Sequence, residues 1–189
     1  MMAPDACTVA ILSDTHGFLD PRIAERVSEC DYAVHAGDIG GADVLFALQP
    51  RLQVLAVRGN NDTAERWGDS ESRLLDNLPH QASLELPGGR LVVVHGDDGR
   101  SLQDRHRHLR RCHGDARVVV YGHSHRLTMD TRVQPWLVNP GAAGRVRTHG
   151  GPSCVLLRCQ GERWELEALQ LPAMRVPDRS HQRRGRLAM

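Results

Sequence analysis

The sequence predicts an α/β fold: a two-sheet β-sandwich flanked by helices (α-β-β-α layers), with polar residues gathered along one edge. Three observations predict it. Short aliphatic runs, partly β-branched, recur along the chain and end at Gly, Asp or His. The first three alternate with helix-like stretches, an order that implies parallel strands joined by right-handed crossovers. The last four follow one another with no helix-like stretch between them, the pattern of strands in a second sheet.

Residues 8–12 (Thr-Val-Ala-Ile-Leu) are the first predicted strand, stopping at Ser13-Asp14. Asp20 is placed to cap a helix to about Cys30, with Pro21 in its first turn. Residues 32–36 are the second strand, 42–48 a short helix closed by Pro50, and 53–57 the third strand, ending at Gly59-Asn60. Residues 63–79 are polar and without clear periodicity. Residues 82–86 and 90–94, joined by Pro87-Gly88-Gly89, read as a hairpin. Residues 101–112 form a helix rich in Arg and His, read as a solvated basic face, and 117–121 another buried strand. Residues 127–132, 134–138, 153–159 and 163–169 are the expected strands of the second sheet.

The length of 189 residues suits one domain, expected over 1–171. Residues 172–189 carry five Arg against one Asp and read as a disordered, Arg-rich tail. With 24 basic and 23 acidic residues, the net charge of +1 exerts no global pull on nucleic acid or membrane. The five cysteines lack close CxxC pairs, which argues against a disulfide framework or a Cys-type zinc site. No leader pattern or apolar span of roughly 20 residues is present, so a cytoplasmic protein is expected.

The chemistry lies at the strand ends. Asp14-Thr15-His16-Gly17 follows the first strand, Gly37-Asp38 the second and Gly59-Asn60 the third. His95-Gly96 follows the hairpin, and Gly122-His123-Ser124-His125 the strand after it. The carboxyl ends of parallel strands open on one edge of a sheet, where open α/β folds bind ligands. If strand geometry persists, each i,i+2 pair (Asp14/His16 and His123/His125) points to one face. Two carboxylates, one amide and four imidazoles exceed the donors one tetrahedral ion uses. They suit two divalent cations sharing a carboxylate. A donor set of oxygen and nitrogen without thiolate suits Mn²⁺, Fe or Zn²⁺ better than Ca²⁺; Ni²⁺ is a further candidate.

The ordered series DTHG, GD, GNND, HG and GHSH resembles the calcineurin-like metallophosphoesterase superfamily, most closely its small bacterial and archaeal phosphodiesterase branch. The resemblance spans nearly the whole chain and implies the metallophosphoesterase-like sandwich and the hydrolysis of phosphate esters. Carried over position by position, it assigns one cation to Asp14, His16, Asp38 and His125. It assigns the other to Asp38, Asn60, His95 and His123, with Asp38 as the bridge. The implied substrate is a small phosphate ester, a diester before a monoester; a nucleic acid is compatible but not indicated, and members of this size often pair as homodimers. The alternatives are a phosphomonoesterase or nucleotide pyrophosphohydrolase of the same chemistry, and a protein-binding scaffold on the same fold.

One departure bears on mechanism. Many members carry Gly-Asn-His at the third block, where the His is thought to protonate the leaving group. Here the block is Gly59-Asn60-Asn61-Asp62. Asn61 is a poor proton donor, and Asp62 could act only if its surroundings raise its pKa. The expected catalytic residues are therefore Asp38, Asn60, His123 and Asp62. Esters with good leaving groups are the expected substrates. His35 is expected in the core, and Arg145 and Arg147 as solvated loop residues or holders of a non-reacting phosphate oxygen.

Overall fold

The computed structural model describes residues 6–173. In order, the chain forms β1 (Ala6–Leu12), α1 (Pro21–Ser28), β2 (Tyr32–His35), α2 (Ala42–Ala47) and β3 (Gln53–Ala56). Two short helices follow, α3 (Ala64–Trp67) and α4 (Ser72–Asp76), separated by a 3-10 turn at Asp69–Glu71. Then come β4 (Gln81–Leu86), β5 (Gly89–Val94), α5 (Leu102–Cys112), β6 (Val118–Val120), β7 (Leu127–Asp130), β8 (Trp136–Pro140), β9 (Ser153–Gln160) and β10 (Arg163–Gln170). The strands build two five-stranded mixed sheets, β10-β9-β1-β2-β3 and β4-β5-β6-β8-β7.

The apolar runs have no polar alternation because both faces of the central strands are covered. In β1, Val9 and Ile11 enter the core between the sheets, with Val34, Val93, Val120, Val138 and Val155. Ala10 and Leu12 point the other way, packing with Ile23 and Val27 of α1. In the second sheet, Val92 and Val119 pack outward with Leu109 of α5. Full burial of a Val or Ile side chain stabilises by roughly 1.5–3 kcal/mol, so these layers hold the sandwich together. Asp20 caps α1 by accepting from the Arg22 amide, with Pro21 at the first turn. The amide of Ala42 at the start of α2 donates to Glu71 at 2.8 Å, which ties the polar 63–79 stretch to the helix it covers.

Three placements differ from expectation. β9 and β10 belong to the first sheet, where β9 pairs antiparallel with β1. The inner face of β9 carries Val155 and Leu157, its outer face Cys154 and Leu156. A strand apolar on both faces carries no mark of which sheet receives it. The unassigned 63–79 stretch holds two short helices, each under two turns and so without readable periodicity. The face of α5 carrying Arg105 and Leu109 is buried, and His106 hydrogen-bonds the Tyr121 hydroxyl at 2.7 Å, so only part of the basic helix is solvated. All five cysteines are free. Among the described residues, no helix is long and apolar enough to cross a membrane. Residues 174–189 of the expected tail lie outside the described residues.

Candidate metal centre

The site forms where the chain leaves β1, β2, β3, β5 and β6 at one edge of the sandwich. Immediately past these strands the backbone turns left-handed at Asp14 (φ 55°), His16 (48°), Asp38 (55°), His123 (69°) and His125 (58°). The i,i+2 pairs therefore converge through left-handed turns, not through the strand alternation expected for them. Non-glycine residues adopt this region rarely, and such conformations cluster at functional sites. Cross-links between loops hold the turns. The amide of Asp14 donates to Gly37 O at 3.0 Å, and that of His16 to Asp38 O at 2.9 Å. Gly59 is required by close approach: a Cβ there would lie 2.2 Å from Asp38 N and 2.4 Å from Asp38 Oδ1.

The structure brings the seven expected residues together in two groups that meet at Asp38. Donor atoms of Asp14, His16, Asp38 and His125 all lie within 4.8 Å of one another, as do those of Asp38, His95 and His123. In the first group, His16 Nε2 and His125 Nε2 are 3.1 Å apart, His125 Nε2 is 3.4 Å from Asp14 Oδ1, and His16 Nε2 is 3.7 Å from Asp38 Oδ2. In the second, Asn60 Oδ1 is 3.0 Å from both His95 Nε2 and His123 Nδ1, and Asp38 Oδ1 is 3.4 Å from His95 Nε2. Asp38 thus turns one oxygen to each group.

Neighbouring groups fix which atoms face inward. His95 Nδ1 donates to Ala36 O and His125 Nδ1 to Val146 O, each at 2.8 Å, which leaves both Nε2 atoms to present lone pairs. Ser13 Oγ donates to Asp14 Oδ2 at 2.8 Å. Asn61 donates twice to Asp38, from its backbone amide at 2.8 Å and from Nδ2 at 2.7 Å. His35 accepts from the Gly37 amide at Nδ1, and its Nε2 lies 2.9 Å from Thr15 Oγ1, which donates to Ile39 O. Fully buried and drawn down to about 4, His35 is a neutral tie between loops, as expected for a core histidine.

The electrostatics suit a cation. Burial pushes the Asp14 carboxyl up to about 7, against the pull of His95 and the Ser13 hydroxyl. Burial acts on Asp38 in the same sense, but His95 and Asn61 outweigh it and hold that carboxyl well below the usual range. Burial lowers His95, yet Asp38 raises it on balance. Burial, with Arg147 nearby, draws His125 down to about 4. Lone pairs of imidazole, amide and carboxylate face one another 3.0–3.7 Å apart. That spacing fits donors arranged around an ion with bonds of about 2.0–2.2 Å. The residues present therefore fit a pair of divalent cations.

Asp62 has a different place from the one its sequence position suggests. Its Oδ1 accepts from Gly40 N and Trp67 Nε1, and its Oδ2 from Gly59 N and Ile39 N, at 2.8–3.2 Å. With four donors on two buried oxygens, it staples the β2 and β3 loops together and is not free to serve a leaving group. Asn139 likewise supports the site from beneath, donating to Gly122 O at 2.7 Å and to Ser124 Oγ at 3.0 Å. The orienting roles of Ser13 and Asn61 went unread in the sequence, since a hydroxyl and an amide beside an acidic residue are commonplace in turns.

The profile of the calcineurin-like phosphoesterase superfamily domain matches residues 8–162. The chain belongs to this superfamily. A probable metallophosphoesterase of Methanocaldococcus jannaschii is 28% identical over 140 residues, covering 71% of this chain and 67% of that protein. A phosphodiesterase of the same organism is 24% identical over 145 residues, covering 70% and 82%. In structure, the superfamily sandwich superposes on vacuolar protein sorting 29 of Cryptosporidium parvum with a TM-score of 0.68. That match has 18% identity and covers 88% of this chain and 98% of the other, a likeness of fold alone.

Proposed function

We propose that this chain is a phosphodiesterase that works with two divalent cations, Mn²⁺ first among them, with Fe, Zn²⁺ or Ni²⁺ as other ions the donor set accepts. The observation that carries the reading is the division of Asp38: one oxygen faces His95, the other His16, so one carboxylate belongs to both donor groups. Asp14, His16, Asp38 and His125 would hold one ion, and Asp38, Asn60, His95 and His123 the other. Bound there, such ions lower the pKa of water to give a nucleophile at neutral pH and offset the charge on a phosphoryl group.

The chain's own residues do the rest. Ser13, Asn61, Ala36 and Val146 fix the rotation and tautomer of the donors, so that little rearrangement accompanies binding. The half-buried His123 and exposed Asn60 leave the second group open to a small ester. Neither Asn61, whose amide N–H is turned onto Asp38, nor Asp62, with its four donors, is placed to protonate a leaving group. This supports diesters with acidic leaving groups as substrates, and the name of the curated phosphodiesterase relative points the same way.

The test is turnover of bis-p-nitrophenyl phosphate and p-nitrophenyl phosphate by Mn²⁺-loaded protein. The reading expects faster cleavage of the diester, rates that rise with leaving-group acidity, and loss of both activities in His123→Ala. Cleavage of the monoester alone would make the chain a phosphatase. No turnover of either by metal-loaded protein would sink the hydrolytic reading.

A further inference from the structure

Arg147 stands apart from the other loop arginines. Its Nη2 donates to His125 Nε2 at 3.1 Å, on the lone pair that faces Asp14 and His16. The same imidazole is bound from its other side by the loop that carries Arg147, through Val146 O on Nδ1. The loop is seated deliberately: a Cβ at Gly144 would lie 2.3 Å from Thr15 O, which leaves room only for glycine at its base. Arg147 itself has a left-handed backbone, φ 50°, where arginine is uncommon. Its neighbour Arg145 is engaged elsewhere, stacked 3.5 Å from the centre of the Phe18 ring. A strained backbone thus holds one guanidinium at the mouth of the first donor group.

One lone pair on His125 cannot serve both a cation and an arginine. We propose that Arg147 is a phosphate-binding residue: a cation taking the His125 lone pair frees its guanidinium to grip a phosphate oxygen of the substrate. The inference rests on reading the cluster as a metal site. A planar fork of donors matches two oxygens of a phosphate group, and its charge answers an anion rather than a neutral ester. Before substrate arrives, the same charge opposes cation entry, so Arg147 weakens metal binding while strengthening phosphate binding.

Arg147→Gly tests both halves, because glycine is at ease at this φ. In calorimetry, the metal-free Arg147→Gly protein is expected to take up Mn²⁺ at least as tightly as the unaltered protein. On the Mn²⁺-loaded variant, inorganic phosphate is expected to bind about 10- to 100-fold more weakly. Arg147→Lys restores part of that affinity, having charge without the fork. KM for the diester rises more than kcat falls. Unchanged phosphate affinity in Arg147→Gly overturns the proposal. So does weakened Mn²⁺ uptake in that variant, which would make Arg147 a support of the donor group. Failure of the unaltered protein to take up Mn²⁺ overturns the metal-site reading beneath it, so the two failures are distinguishable.

Discussion

The two donor groups share Asp38, and each has a buried His fixed at Nδ1 by a backbone carbonyl, but they differ in charge and exposure. The first adds a second carboxylate, Asp14, and encloses it with His125 in the interior. The second has the neutral Asn60 amide in the equivalent place, and Asn60 and His123 reach toward solvent. Opposite charge and low local dielectric both strengthen the attraction for a cation. Once Asp14 is ionised and Arg147 has left the His125 lone pair, the first group should therefore hold its ion more tightly, and the second should exchange its ion more readily. On the proposed reading, one fold edge would carry a retained site and an open one, joined by a single side chain.

Replacing that shared side chain should erase the difference. Asp38→Asn is expected to lower diester turnover on the order of a thousand-fold, the several kcal/mol a metal clamp supplies. Metal content should fall in both groups, as measured by elemental analysis after dialysis. A variant that kept one ion and most of its activity would deny Asp38 its bridging place.

Asp62→Ala acts on the frame that sets the groups against each other. It leaves the amides of Ile39, Gly40 and Gly59 without their acceptor. Destabilisation of about 3 kcal/mol is expected for stranding buried donors, read from chemical denaturation. Asn61→Ala is milder: it removes one hydrogen bond to Asp38 and should weaken metal affinity by about 10- to 100-fold. The pH profile separates the groups most gently. In the metal-free protein the Asp14 carboxyl, raised to about 7 by burial, is neutral below that pH. A cation entering the first group must then displace a proton. Its affinity should fall by about tenfold per unit as pH drops below 7 and level off above it. Calorimetry in buffers of different ionisation enthalpy would read the released proton.

The layers of this fold were legible because aliphatic runs have few other uses: residues 8–12, 32–36 and 117–121 each fall on a central strand or its end, and 53–57 on the edge strand β3. The seven candidate donors could be picked out as a set because each follows an apolar run, and the structure brings their side chains close together. Three things were not legible. The left-handed turns at Asp14, His16, Asp38, His123 and His125 depend on hydrogen bonds between distant loops. The return of β9 and β10 to the first sheet depends on a two-faced apolar strand that fits either sheet. The loop-stapling place of Asp62 depends on donors 22 or 23 positions earlier as well as those nearby. In each case the deciding partner is far away in sequence, and local chemistry alone does not name it.

Anomalous diffraction from crystals soaked in Mn²⁺ tests the central claim most directly. The account predicts two peaks, one among Asp14, His16 and His125 and one among Asn60, His95 and His123, with an oxygen of Asp38 on each. A single peak away from Asp38, or none, would contradict it.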